Sequence, residues 1–251
     1  MFFSVFLQQL KVFFVNFKIP IIFFIFILHV FMFFFEESFP LLLIVVGEVM
    51  QLFTRNEPFR LYIKAYPITI SIVFLSVCVF IAMLLFGSQS SAEVLYQFGA
   101  FYPESIQNGQ WFRFITAIFL HSTWMHLLMN ILFIYVFAPF LEQHFGKRKF
   151  LMFFILSGAC SFILPYFLNP HTITTGASGA FYGLLSLHLQ VIRKEPYRYS
   201  QGDRQTVIGM LIVGFILSFI TPNTSIMGHL GGFIFGWLLS YLFFIKSTKT
   251  K

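Results

Sequence analysis

The run PITISIVFLSVCVFIAMLLF at residues 67–86 carries no charged side chain from end to end. A helix needs about 20 mostly apolar residues to cross the hydrocarbon core of a bilayer. Further apolar runs follow along the chain, and we place six core spans near 67–86, 123–143, 149–168, 177–193, 205–221 and 226–246. The sequence therefore predicts an all-α polytopic membrane protein with a six-helix core.

The overall composition supports this fold class. Of all residues 58% are hydrophobic and only 10% are charged, whereas soluble domains have about 25% charged residues. The apolar runs recur to the end of the sequence and no small-residue cleavage site follows the first run, which argues against a cleaved signal peptide. Both cysteines, Cys78 and Cys160, lie inside apolar runs, so we expect them to be buried side chains without a redox or metal role.

The net charge of +7 is explained by topology. Basic residues gather in alternate connections, whereas Arg113 is the one basic residue of the connections between them. Because cytoplasmic loops of membrane proteins collect Lys and Arg, we predict that both ends of the core lie in the cytoplasm and that 87–122, 169–176 and 222–225 lie outside. The charge pattern thus favours a multi-pass protein of the cell membrane in contact with lipid, and nucleic acid is not an expected partner.

The connection 87–122 is long for a compact domain and is rich in aromatic residues, among them Trp111 and Phe112. Loops of more than about 15 residues are usually functional or disordered. Aromatic side chains are typical anchors at the membrane–water interface. We therefore expect this connection to rest partly in the lipid headgroups.

The first 49 residues differ from the rest. They form a Phe-rich hydrophobic segment, followed by a basic leader at 50–66, the core at 67–246 and a short tail at 247–251. One span near 12–35 conflicts with the cytoplasmic start of the next core span, unless 40–53 re-enters the membrane or lies on its surface. Alternatively, Met50 is the initiator and residues 1–49 are not part of the native product.

The acidic residues limit the hydrolytic chemistries that are available. Asp203 is the only aspartate, which disfavours a pair of aspartates sharing a proton, and no His-Glu-x-x-His motif is present. None of the nine carboxylates lies near the outer ends of the fourth and sixth spans. A hydrolase built on this sequence would use serine without the usual acid of a triad.

A serine and a histidine stand at those outer ends, each beside glycines. The stretches are Gly176-Ala177-Ser178-Gly179 and Gly228-His229-Leu230-Gly231-Gly232. Glycines four residues apart, such as Gly179 and Gly183, allow membrane helices to approach closely. Such packing would bring the Ser178 hydroxyl and the His229 imidazole within hydrogen-bond distance, as a nucleophile and its base require.

The second span carries further polar residues. His126 and Asn130 are four residues apart and share one helix face. They are candidate hydrogen-bond donors to an oxyanion, although each taken alone is also compatible with an interhelical hydrogen bond. Zinc ligation by His121, His126 and His229 is disfavoured by their different directions and the absence of a nearby acid. We expect no metal and no cofactor.

Four motifs in this order make the chain resemble the rhomboid intramembrane serine proteases across residues 50–251. They are Trp111-Phe112-Arg113, His121-x4-His126-x3-Asn130, Gly176-x-Ser178-Gly179, and His229 followed by Gly232 and Gly236. Their order across six spans is highly specific, whereas no single one would be. The segment 1–49 has no counterpart in the family.

The resemblance implies roles for individual residues. Ser178 would be the nucleophile and His229 its general base, and His126 and Asn130 would form the oxyanion hole together with the Ser178 backbone N–H. Tyr182 matches a family tyrosine that stacks on the catalytic histidine. The remaining matches have supporting positions: Gly176, Gly179, His121, Arg113 and Glu142.

The function implied is therefore an intramembrane serine endopeptidase whose substrates are transmembrane helices of other proteins. Its active site would open toward the extracytoplasmic face. Two other classes are less well supported. An inactive relative that only binds transmembrane helices would have lost the serine, the histidine or the oxyanion donors, and all are present. A transporter or channel would favour charged or broken helices near the midplane, whereas these polar residues cluster toward one face.

Overall fold

The computed structural model of the chain describes Phe53 and residues 57–222 and 224–245. The predictions for 1–49, for part of the basic leader and for the tail at 247–251 lie outside the described residues. The described part is helical, with one isolated antiparallel bridge between Phe101 and Thr174. This confirms the all-α fold class.

The described residues contain eleven α-helices. In chain order they are α1 Phe59–Ala65, α2 Pro67–Phe86, α3 Ala92–Gln97, α4 Pro103–Gln107, α5 Arg113–Thr116, α6 Trp124–Phe145, α7 Lys147–Ser161, α8 Ile163–Leu168, α9 Ser178–Lys194, α10 Gln201–Ile220 and α11 Ile226–Ile245. Short 3-10 turns follow α5 and α9, at Ala117–Phe119 and Pro196–Arg198.

Five stretches are long and apolar enough to cross a membrane: Pro67–Phe86, Trp124–Phe145, Lys147–Leu168, Gln201–Ile220 and Ile226–Phe244. They correspond to five of the six predicted spans. The other prediction, at 177–193, corresponds to α9, which has 17 residues. At about 1.5 Å per residue it extends about 26 Å, slightly less than a hydrocarbon core of about 30 Å.

Helix α9 is the most enclosed helix of the core. Twelve of its residues are buried, and it packs against α6, α7, α10 and α11. The surrounding helices therefore shield its backbone from lipid. Its first residue, Ser178, and its last, Lys194, lie at opposite ends of the core.

The third predicted span differs from the observed structure, because it is divided into α7 and α8 at Phe162. Pro165 has no backbone N–H and so cannot donate to the carbonyl of Ser161 four residues earlier. That carbonyl lies against α11, since a Cβ added to Gly231 would stand 2.6 Å from the Ser161 oxygen. The interruption thus gives α11 room to approach.

The long connection before α6 is folded rather than irregular, with α3, α4 and α5 in it. Arg113 holds these pieces together and is only 4% exposed. Its Nη1 donates to the carbonyls of Tyr96 at 2.8 Å and Ala100 at 2.9 Å, and its Nε donates to Gln110 Oε1 at 2.7 Å. The predicted contact of this connection with lipid headgroups stays a prediction.

Glu142, near the end of α6, caps the first turn of α2. Its carboxylate accepts hydrogen bonds from the backbone N–H of Ile68 at 2.9 Å and from the N–H and hydroxyl of Thr69, both at 2.8 Å. The first N–H groups of a helix lack intrahelical acceptors and favour a negative charge. Glu142 thereby joins the end of α6 to the start of α2.

The expectation for Cys78 was wrong. Its side chain is exposed on the surface of α2, and that of Cys160 is partly exposed. Helix α2 lies at the edge of the bundle and packs mainly against α6, so most of its surface is free to face hydrocarbon. An apolar run in a membrane protein therefore does not imply burial within the protein.

Candidate active site

Glycines allow α9 and α11 to touch along their backbones. A Cβ added to Gly232 would lie 2.0 Å from the carbonyl oxygen of Gly179, and one added to Gly236 would lie 2.5 Å from Cα of Gly183. Neither distance is possible between real atoms, so these positions accept no side chain. The close contact sets the spacing between the residues that begin the two helices.

Ser178 and His229 meet across this contact. His229 Nε2 and Ser178 Oγ lie 2.9 Å apart, in a hydrogen bond between residues from different helices. Ser178 is the first residue of α9, and His229 lies in the first turn of α11 and is 9% exposed. The tertiary structure thus places the two residues in the geometry that a nucleophile and its base require.

The ring of Tyr182 covers the imidazole of His229. The ring centroids are 4.4 Å apart and the ring planes differ by 20°, which is a stacked arrangement. Tyr182 lies one helical turn after Ser178 on α9, so both residues of this helix contact the same histidine. The stack limits rotation of the imidazole and holds its Nε2 toward Ser178.

The second ring nitrogen of His229 also has a partner. His229 Nδ1 lies 2.6 Å from the hydroxyl oxygen of Ser218, near the end of α10. Ser218 was not identified from the sequence. A signal was nevertheless present, because Ser218 is a polar residue near one end of an apolar span, the end predicted to lie on the same side as Ser178 and His229.

Gly176 connects this pair to α6. Its φ is +112°, a conformation that favours glycine, and its N–H donates to the carbonyl of Ala117 at 2.9 Å. A Cβ at this position would lie 2.5 Å from Nε2 of His126. Gly176 therefore brings the chain just before Ser178 into contact with the His126 imidazole.

The start of α6 carries the two candidate oxyanion donors. Thr123 caps this helix by accepting a hydrogen bond from the His126 backbone N–H at 3.0 Å. The Asn130 side chain donates one of its amide hydrogens to the His126 carbonyl at 2.8 Å. Asn130 is 4% exposed, so its carboxamide is held in a buried position on the face shared with His126.

Two residues predicted to have supporting positions, His121 and Gly179, lie nearby. His121 is fully buried, and its ring stands edge-on to that of His126 with centroids 5.0 Å apart. It precedes α6 instead of belonging to it. Gly179 faces α7, where an added Cβ would lie 2.1 Å from the Ser161 hydroxyl oxygen.

The carboxylates nearest in sequence to these residues have other partners in the described part of the chain. Glu142 caps α2, Glu195 forms an ion pair with Arg198, and Asp203 accepts from Ser200 in a capping box at the start of α10. The imidazole of His229 is therefore bounded by hydroxyls and an aromatic ring. The arrangement can deprotonate the Ser178 hydroxyl with a neutral imidazole.

Comparison with known proteins finds one family description and several relatives that are similar to this chain. The family description "Rhomboid domain" matches residues 108–246. The rhomboid relative YdcA of Bacillus subtilis (strain 168) is 34% identical over 193 residues, which cover 76% of this chain and 96% of the relative. The Rhomboid protease GluP of the same organism is 28% identical over 163 residues, 65% of this chain and 32% of the relative. The Rhomboid-like protease 3 of Toxoplasma gondii is 28% identical over 151 residues, 59% of this chain and 57% of the relative.

Proposed function

The chain belongs to the rhomboid family, and from this premise we propose that it is a serine endopeptidase that cleaves transmembrane proteins in or near their membrane helices. The observation that carries the proposal is the 2.9 Å hydrogen bond between Ser178 Oγ and His229 Nε2. Two residues that are distant in sequence and lie on different helices are hydrogen-bonded to each other. Helix packing alone would not require a serine and a histidine at these two positions.

In the first step His229 Nε2 takes the proton of the Ser178 hydroxyl as Oγ attacks the carbonyl carbon of the substrate. The carbonyl π electrons move to oxygen and form a tetrahedral oxyanion. Hydrogen-bond donors placed at the oxyanion lower the energy of this transition state. We assign this role to the side chains of His126 and Asn130 and to the backbone N–H of Ser178, which lacks an intrahelical acceptor as the first residue of α9.

The intermediate then collapses to an acyl-enzyme. The C–N bond breaks as the imidazolium of His229 gives its proton to the leaving nitrogen. A water molecule next replaces the amine, and His229 removes its proton as the water oxygen attacks the ester carbon. The second collapse returns the proton to Ser178 Oγ, so the dyad is regenerated after one peptide bond and one water have been consumed.

A substrate helix must unwind before it can react. Carbonyl groups within an α-helix already accept hydrogen bonds and are shielded by their own side chains. Segments with glycine, proline or other weak helix formers unwind most easily. We therefore expect cleavage near such residues in transmembrane helices or in the chain next to them, with the surrounding lipid as the medium from which substrates approach.

The charge distribution supports an orientation in the cell membrane. Ser178 begins α9, whereas Arg193 and Lys194 lie in its last turn, and Lys147 to Lys149 begin α7. Basic residues prefer the cytoplasmic side. The end of the core with Ser178 would then face the extracytoplasmic side, from which water can reach the acyl-enzyme.

A fluorophosphonate probe tests the proposal directly, because it modifies only an activated serine. We expect the wild-type chain to be labelled and to cleave a member of a panel of single-span membrane proteins, and Ser178→Ala to do neither. Ser186→Ala is a matched control, since Ser186 is a buried serine of the same helix whose hydroxyl donates only to the Gly183 carbonyl, at 2.7 Å. Equal turnover by Ser178→Ala and the wild type would refute the proposal.

The same experiment separates the protease from the two other classes of function. Neither a relative that only binds transmembrane helices nor a transporter or channel would be labelled or would cleave the panel.

A further inference from the structure

The hydroxyl of Ser218 lies among three polar atoms. The carbonyl oxygen of Gly214 is 2.7 Å away, Nδ1 of His229 is 2.6 Å away and the hydroxyl oxygen of Tyr182 is 3.2 Å away. Ser218 is 3% exposed, so these neighbours must satisfy its hydrogen bonds. Its own helix, α10, supplies only the Gly214 carbonyl.

The positions of the hydrogens follow from counting donors. A hydroxyl has one hydrogen to donate and two lone pairs that accept. The Gly214 carbonyl can only accept, so the Ser218 hydrogen points to Gly214, as is common for a serine within a helix. With all three contacts made as hydrogen bonds, the other two are donated to Ser218 Oγ, one by the Tyr182 hydroxyl and one by Nδ1–H of His229.

This count favours one tautomer of the imidazole. A neutral imidazole carries one hydrogen, and if it is on Nδ1 the lone pair is on Nε2. Nε2 is the atom that lies 2.9 Å from Ser178 Oγ. The tautomer that Ser218 selects is therefore the one that can accept the Ser178 proton.

We propose that Ser218 is a positioning residue that holds His229 with its hydrogen on Nδ1 and its Nε2 lone pair toward Ser178. The proposal rests on the proposed protease function for its consequence, but its geometry is independent of any substrate. Ser218 does for the tautomer what the acid of a serine triad does, without supplying a charge. Tyr182 assists by donating to the same oxygen while its ring stacks on the imidazole.

Ser218 must also be distinguished from a residue that only fills space. We expect Ser218→Ala to lower kcat about 10- to 100-fold with KM nearly unchanged, as for the loss of one or two hydrogen bonds that matter only in the reaction. Ser218→Thr keeps the hydroxyl and should recover most of kcat. Ser240→Ala is the control, because Ser240 is a fully buried serine of α11 whose hydroxyl donates to the Trp237 carbonyl at 2.6 Å.

The tautomer itself can be measured by NMR of protein labelled with ¹⁵N-histidine. The Ser178→Ala chain is the parent, because its site cannot turn over and Nε2 has lost its serine partner. The His229 signals, identified by their loss in a Ser178→Ala/His229→Asn chain, should show a protonated Nδ1 and a bare Nε2. Adding Ser218→Ala should make the tautomer with hydrogen on Nε2 appear, whereas adding Ser240→Ala should not.

The outcomes distinguish this inference from the proposed function. A protonated Nε2 in the Ser178→Ala parent would overturn the role of Ser218, even if the wild-type chain labels and cleaves normally. An unchanged tautomer after Ser218→Ala would overturn it as well. Failure of the wild-type chain to label or cleave would instead count against the protease function, while the tautomer result would still decide the role of Ser218.

Discussion

His229 lies against Tyr182 in a stack with ring centroids 4.4 Å apart. Its two ring nitrogens face the hydroxyls of Ser178 on α9 and Ser218 on α10. The ring is thus held on one face and at both polar edges. The stack limits its rotation and the hydrogen bonds set its direction. Within the described part of the chain no carboxylate contacts the ring, and these contacts orient the imidazole of the proposed general base.

The two parts of Tyr182 can be separated by substitution. Tyr182→Phe keeps the stack and loses the hydroxyl, so we expect kcat to fall only several-fold, in keeping with one hydrogen bond of about 1 kcal/mol. Tyr182→Ala removes the stack too and should lower kcat by a further factor of about 5, because such ring pairs are worth about 1 kcal/mol. Rates measured under saturating substrate check both values. Equal losses in the two variants would show that the stack has no role.

Asn130→Ala should impair catalysis without abolishing it. Loss of one oxyanion donor typically lowers kcat about 10²- to 10³-fold. Two donors, the His126 side chain and the Ser178 backbone N–H, would remain. The measurement is kcat for cleavage, together with the rate of fluorophosphonate labelling. A variant with wild-type kcat would remove Asn130 from the proposed oxyanion hole.

Gly232→Ala should separate α9 from α11, since the new Cβ would lie 2.0 Å from a backbone oxygen that cannot move away. Overpacking of this kind costs about 1–3 kcal/mol or more, and we expect both a lower midpoint of thermal unfolding and loss of labelling at Ser178. Gly209→Ala is the matched control, because a Cβ there meets nothing within 4 Å and the position is helical. It should unfold at or slightly above the wild-type temperature. Equal stability of the two variants would contradict the close packing.

Glu142→Gln should weaken the junction between α6 and α2. The amide has one oxygen where the carboxylate offers two to Ile68 and Thr69, so a buried donor loses its acceptor at a cost of about 1–3 kcal/mol. Thermal unfolding in detergent should show the loss, while kcat of the folded fraction stays near wild type. Glu93→Gln, on the exposed side of α3, should leave the unfolding temperature unchanged. A lowered kcat with normal stability would assign Glu142 to catalysis instead.

The fold class and the family followed from the sequence because both depend on local patterns. Apolar runs of sufficient length predict membrane helices wherever they pack, and five of the predicted spans were found with ends within a few residues. The order of the Arg113, His126, Ser178 and His229 motifs was sufficient to identify the rhomboid family, which the comparisons confirm. The domain boundaries and the roles of the site residues stay predictions.

The sequence by itself determined which helices form and which polar residues stand near their ends, since hydrophobic length and residue spacing are properties of the chain. Only the tertiary structure decided which of those residues meet. The division of the third span at Phe162, the enclosure of α9 and the contact of Ser218 with His229 depend on how helices pack. A hydrogen bond between two helices requires an approach of about 3 Å, which depends on contacts of residues far apart in the chain.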